Sequence, residues 1–214
     1  MTQVKRHITI CGIGPGNPDY ILPIVWKKAG KAQLLVGGSR HLEIFRELNK
    51  ETISISGKLV ELKNEIEQSA HKEIVAVVSG DTGFYSLRNY LSKQFPDAQI
   101  DVVPGISSFQ YFYAQINCGY EKAFISSLHG IENDFISKLN DYESIFLLTD
   151  KHNNWKTIAQ QLIDNGYGHL KMFVGNRLSY EDEQIIEKTA NELILDNYQF
   201  DLCAVIIKTE SNEG

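Results

Sequence analysis

The chain has 214 residues, of which 43% are hydrophobic and 22% charged, an ordinary composition for a soluble globular protein of one large or two small α/β domains. Its formal charge of −6 argues against general nucleic-acid binding without excluding a local basic pocket. No apolar run approaches the roughly 18 residues that a membrane span needs. Residues 1–6 lead straight into a strand, so no signal peptide is expected. Three scattered cysteines (Cys11, Cys118 and Cys203) suit reduced thiols in a cytoplasmic protein better than disulfides or a zinc site.

In chain order, residues 8–11 read as a strand. Residues 20–31 read as a helix with Asp19 as its N-cap. A short strand at 33–36, a helix at 41–48 and a brief strand at 52–55 follow. Leu59, Leu62 and Ile66 recur at helical spacing and predict an amphipathic helix over 59–70. The β-branched run 74–78 predicts a strand buried on both faces. Residues 84–95 read as helix, 99–103 as strand and 106–116 as helix. The aromatics Phe109, Phe112 and Tyr113 on that last helix are read as core packing. A break at 117/118 predicts domains 1–117 and 118–214. The second domain is expected as strand 123–126, helix 133–139, strand 144–148, helix 155–165, strand 171–174, strand 184–187, helix 190–195 and strand 202–207. The alternation predicts two α/β units, each a sheet covered by helices.

In open α/β sheets, ligands sit beyond the carboxyl ends of the strands. Three unusual loops fall there: Gly12-Ile13-Gly14-Pro15-Gly16, Ser79-Gly80-Asp81-Thr82-Gly83-Phe84-Tyr85 and Pro104-Gly105-Ile106-Ser107-Ser108. The first is not a dinucleotide fingerprint, because its glycines are spaced G-x-G-P-G and Pro15 removes an amide donor. It is not a P-loop, since no Gly-Lys-Ser/Thr follows. It therefore suits close approach to a ligand that is not held by phosphates. Asp81 reads equally as a cap of the following helix or as a ligand-binding carboxylate.

These three loops resemble the signature loops of the tetrapyrrole methylases, the class III S-adenosylmethionine-dependent methyltransferases. Val36-Gly37-Gly38-Ser39-Arg40, Ser127-Leu128-His129-Gly130 and Arg177-Leu178-Ser179-Tyr180-Glu181-Asp182-Glu183 are similar to motifs of the CbiE-type branch. Thr82 stands where most relatives have Pro, and Ser179 where the usual residue is Gly. The resemblance implies two α/β domains with S-adenosylmethionine in a cleft between them, lined by Pro15, Asp81, Phe84, Ser107, Ser108, Leu148 and Thr149.

It further implies methylation of carbon 5 of precorrin-7 or cobalt-precorrin-7. The alternatives are another tetrapyrrole position, another acceptor, or a non-catalytic corrinoid-binding module. The sulfonium is already activated, so alignment and desolvation carry most of the acceleration. His129 is the candidate for a coupled proton removal, or else a hydrogen-bonded loop histidine. A carboxylate-fringed substrate needs cations, and Arg40, His41, Lys151, His152 and Arg177 are the candidates, with Lys151 read rather as a surface charge. The cluster Tyr180-Glu181-Asp182-Glu183 is read as a structural loop, and no metal is expected. A homodimer is expected. The companion methylation at carbon 15 with decarboxylation is expected from a separate CbiT-type protein.

Overall fold

The computed structural model describes residues 6–55, 59–128, 134–200 and 203–209. The chain divides into two compact units, Met1–Ser107 and Ser108–Gly214. Among the described residues no helix is long and apolar enough to cross a membrane.

The first unit runs β1 (His7–Gly12), α1 (Pro23–Lys31), β2 (Leu34–Gly37), α2 (Ser39–Glu43), β3 (Glu51–Ser54), α3 (Leu59–Gln68), β4 (Glu73–Val78), α4 (Arg88–Gln94) and β5 (Gln99–Val103). Its strands form one sheet in the order β3-β2-β4-β1-β5, and every neighbouring pair is parallel. Alternate residues of each strand serve opposite faces. Cys11, Leu35, Val75 and Val77 pack with Val25 and Ala29 of α1 and Leu42 of α2. Ile8, Ile10, Leu34, Val36, Ile74 and Ala76 pack with Leu62 and Ile66 of α3 and Leu91 of α4. Burial on both faces is why β4 reads as an unbroken apolar run, β-branched except at Ala76; each Val or Ile side chain contributes about 1.5–3 kcal/mol on leaving water. From β1 the chain crosses towards β2 at one side of the sheet, and from β4 towards β5 at the other. These neighbouring strands therefore flank a topological switch point, the place where such sheets receive ligands.

The second unit runs α5 (Ser108–Gln115), β6 (Ala123–Ser127), β7 (Ser144–Leu148), α6 (Trp155–Asp164), β8 (Lys171–Asn176), β9 (Gln184–Thr189), α7 (Ala190–Leu193) and β10 (Cys203–Lys208). The sheet order is β6-β7-β10-β8-β9, with β6 and β7 parallel and the remaining pairs antiparallel. Ile145, Leu147, Met172, Val174, Val205 and Ile207 meet Ile158, Ala159 and Leu162 of α6 and Ala190 and Leu193 of α7. Asn154 starts α6 by accepting the Lys156 and Thr157 amides, and Thr189 with Glu192 forms a capping box on α7.

The division falls before α5, earlier than the 117/118 break expected from sequence. The aromatics of α5 explain this. Phe109 meets Phe146 of β7 at 6.0 Å, Tyr113 Oη lies 2.7 Å from Ser144 Oγ, and both Phe112 and Tyr113 are fully buried. Several helices are shorter than expected, and the one expected over 41–48 is α2, ending at Glu43, followed by a 3-10 turn at Arg46–Leu48. Leu22, not Asp19, precedes α1, and Asn17 instead caps the 3-10 turn Pro18–Tyr20. The expected helix over 84–95 begins only at Arg88. Of the expected helix over 133–139, a 3-10 turn at Ile136–Lys138 is present, and residue 133 lies outside the described residues.

Candidate active site

At the carboxyl end of the first sheet, two of the unusual loops are tied backbone to backbone. Ile13 N donates to Val78 O at 2.9 Å, Gly14 N to Gly80 O at 3.2 Å, and Gly80 N to Gly14 O at 2.8 Å. The Ile13, Gly14 and Gly80 amides, which a phosphate cradle would point at its ligand, are thus spent inside the protein. The glycines also have a different use from the one expected. A Cβ on Gly12 would lie 2.6 Å from Gly80 O and 2.7 Å from Gly105 N, and one on Gly105 would strike Gly80 O and the Gly12 backbone. Missing side chains at Gly12 and Gly105 let the three loops pack on each other; the space is filled by protein.

Asp81 completes this junction. Its Oδ2 accepts from Gly83 N at 2.7 Å and its Oδ1 from Gly105 N at 3.1 Å, so one carboxylate joins the β4 and β5 loops. It does not cap α4, whose N-cap is Leu87 with no side-chain hydrogen bond. Thr82, at the usual Pro position, is buried, and its carbonyl accepts from Ser86 Oγ at 2.5 Å. Phe84 is half-buried and meets Tyr85 edge-on at 4.8 Å. Pro15 is half-buried in the first loop, and Ser107 is buried at the end of the third. Pro15, Asp81, Phe84 and Ser107 therefore all lie on loops leaving adjacent strands.

In the second unit, Ser108 opens α5, and Leu148 ends β7 with its carbonyl accepting from Leu128 N at 2.8 Å. The Thr149 hydroxyl donates to Cys203 O at 2.5 Å and lies 3.0 Å from Cys203 Sγ. It is thereby tied to the start of β10. Burial, against a smaller opposing effect of the Thr149 bond, raises the Cys203 thiol above its ordinary range. Asn176, opposite Cys203 across the ladder, is 7% exposed, and its Oδ1 has no hydrogen-bond partner among the described residues.

The candidate cations divide between the units. Arg40 is exposed and His41 half-buried on α2, directly after β2. Burial, and secondarily the Arg40 charge, push His41 below the ordinary imidazole range, which keeps it neutral near pH 7. Arg177 sits beyond β8 with φ of +50°, its Nε 2.7 Å from the Asp182 carboxylate and its guanidinium 4.7 Å from the Tyr180 ring centre. Arg177 in turn holds the Asp182 carboxyl below its usual range. Glu183 accepts from Ser179 N at 2.5 Å. Two of the clustered carboxylates therefore shape their own loop. Lys151 and His152 are exposed, and the His152 amide donates to Asp150 Oδ1 at 2.8 Å. His129 lies outside the described residues.

Sequence reading passed over Tyr85 and Asn176. Tyr85 has a sequence signal, the doubled aromatic after Gly83. Asn176 has none, because an orphaned acceptor is visible only when its surroundings are known.

The fold and this junction define a class before they define a reaction. The chain superimposes on the cobalamin-biosynthesis precorrin-6Y methylase (cbiE) of Archaeoglobus fulgidus with a TM-score of 0.73 at 18% identity, over 96% of this chain and 99% of that one. It matches the uroporphyrin-III C-methyltransferase of Thermus thermophilus, solved with S-adenosylhomocysteine, with a TM-score of 0.76 at 16% identity over 94% and 97%. At these identities the likeness is one of fold. The family model of the tetrapyrrole (corrin/porphyrin) methylases matches residues 7–194, and the chain belongs to that family. It is 29% identical to the cobalt-precorrin-7 C(5)-methyltransferase of Salmonella typhimurium, over 95% of this chain and 99% of the relative. It is 32% identical to a probable cobalt-precorrin-7 C(5)-methyltransferase of Methanocaldococcus jannaschii, over 90% and 94%.

The chain is accordingly a methyltransferase that uses S-adenosylmethionine. The chemistry of the residues fits this donor. A phosphate-free cation needs no amide nest, and the Ile13, Gly14 and Gly80 amides are already spent. The junction carries one carboxylate, the buried Thr82 and Ser107 and the half-buried Phe84 ring.

Proposed function

We propose that this protein methylates carbon 5 of cobalt-precorrin-7 or precorrin-7. The observation carrying this reading is the alignment, nearly end to end, with relatives named for that transfer. S-adenosylmethionine supplies, when bound, a methyl group on a cationic sulfur that leaves as a neutral thioether. The protein's part is binding and alignment. Asp81, fixed by the Gly83 and Gly105 amides, presents negative charge in a set orientation to a cationic ligand. Pro15, Phe84 and Ser107 in the first unit, and Ser108, Leu148 and Thr149 in the second, are the remaining proposed cofactor contacts. Thr149 offers its oxygen rather than its proton, because the hydroxyl hydrogen is committed to Cys203 O.

Arg40, His41 and Arg177 are the proposed contacts for the carboxylate fringe of the macrocycle. Arginine suits this role because its planar fork can grip a carboxylate with two bonds. Replacing Arg40 with Ala should weaken macrocycle binding about tenfold, the loss of one charged hydrogen-bonding group, and leave S-adenosylhomocysteine affinity within about twofold. Calorimetric titration of both ligands checks this, and equal loss of both would remove Arg40 from the substrate role.

The protein is further proposed to act as a homodimer, with methylation at carbon 15 and its decarboxylation left to a separate CbiT-type protein. The test of the main reading is incubation with S-adenosylmethionine and either the cobalt or the metal-free macrocycle. Mass spectrometry should show the gain of one methyl group, and carbon NMR should place it at carbon 5. A methyl group elsewhere, or no product from either form, refutes the reading.

A further inference from the structure

Among the described residues, five that are not glycine adopt a positive φ: Asn49, Tyr85, Asn117, Arg177 and Ser179. Side chains with a Cβ pay for that conformation, asparagine least and bulky residues most. Four of the five have a reason within the fold. Two are asparagines. Arg177 bonds Asp182 and stacks on Tyr180. Ser179 is 4% exposed and gives its amide to Glu183. Tyr85 is the exception: its φ is +48°, yet the residue is 56% exposed. An aromatic ring that remains mostly in water returns little burial energy to offset the strained backbone under it.

The surrounding loop is nonetheless held firmly. Gly83 N donates to Asp81 Oδ2 at 2.7 Å, Ser86 Oγ donates to the carbonyl of buried Thr82, and Arg88 N donates to Ser86 Oγ at 3.3 Å. The Phe84 ring meets Tyr85 at 83°. The chain thus fixes an exposed, flat, amphipathic group at the carboxyl end of β4, beside the switch point where ligands gather. We infer that Tyr85 is a substrate-positioning residue whose ring stacks against the plane of the tetrapyrrole, so that the strain is offset only when the acceptor is bound. This rests on the proposed function and extends it, because it assigns a contact for the ring plane in addition to the carboxylate fringe.

The experiment compares wild type with Tyr85→Gly, Tyr85→Ala and Tyr85→Phe. Tyr85→Gly removes both ring and strain, Tyr85→Ala removes the ring alone, and Tyr85→Phe keeps the stacking plane. Thermal unfolding should place Tyr85→Gly at or above wild type and above Tyr85→Ala. Titration with cobalt-precorrin-7 in the presence of S-adenosylhomocysteine should show affinity about tenfold weaker in the Gly and Ala variants and within about twofold of wild type in Phe. S-adenosylhomocysteine affinity and sedimentation behaviour should not change in any variant. Marked destabilisation of both Gly and Ala variants would make the ring structural and overturn the inference. A change of assembly state would make it an interface residue, and unchanged macrocycle affinity would leave it without a role; either overturns the inference alone. Failure of wild type itself to bind the macrocycle would overturn the proposed function as well.

Discussion

Asp81 shows how one side chain can be read two ways from its neighbours and turn out to have a third use. Both of its oxygens accept backbone amides, from Gly83 and from Gly105. Asp81→Asn would turn an amide NH₂ towards one of these donors, leaving a part-buried N–H without an acceptor. Thermal or urea unfolding should show a loss of about 1–3 kcal/mol, with S-adenosylhomocysteine affinity falling alongside. Ser179 offers the opposite test. Its φ of +70° explains why glycine is the usual residue there. Ser179→Gly should be neutral or stabilising by up to about 1 kcal/mol, and Ser179→Val destabilising by about 1–3 kcal/mol, in the same unfolding assay. The departure from Gly is readable in the sequence. That the position is left-handed is not, because no local signal other than the missing glycine marks it.

At the scale of the element, the glycine loops govern how strands β1, β4 and β5 end. Gly12→Ala would set a methyl group 2.6 Å from Gly80 O, a backbone atom that cannot rotate away. The expected cost is about 1–3 kcal/mol of overpacking, read as a lower unfolding midpoint, together with weaker S-adenosylhomocysteine binding because the loops must part. Gly30, on exposed α1 surface with open space around its Cβ position, is the control: Gly30→Ala should be neutral or stabilising. The elements themselves were legible. Each strand announced in the sequence is present, because a two-residue period with both faces apolar, or an apolar run between turn residues, is a local property. Helix starts were less so. Residues 84–87 carry helix-compatible side chains, but Tyr85 is left-handed and Ser86 bonds back to Thr82, so α4 waits for Arg88.

For the whole molecule, acid should act in two stages. His41 has a folded value below the ordinary imidazole value of about 6.5, so the unfolded chain takes up its proton first. Its contribution is complete above that value and is lost as pH falls from about 6.5 towards the folded value. Asp101, held down chiefly by the hydrogen bond from His7, and then Asp182 and Glu192, have depressed folded values. Their contribution is complete above the ordinary carboxylate range and is lost as pH falls from that range through the depressed values. Unfolding free energy measured against pH should therefore decline from about 6.5 downward, and His41→Gln should flatten that first decline while leaving the second. By contrast, Cys11, buried and raised to about 12, stays a thiol throughout.

By itself, the sequence determined the order of strands and helices, the double burial of β4, the family motifs and hence the methyl donor. These follow from periodicity and short spacings, which a linear reading can see. Only the tertiary structure decided that α5 belongs to the second unit, that Gly12 and Gly105 serve loop packing, and what Asp81 and Thr149 hold. Asp81 reaches an amide 24 residues away, and Thr149 a carbonyl 54 residues away. Hydrogen-bonding capacity is written in a side chain's chemistry, but its partner is set by which strand ends the folded sheet places side by side.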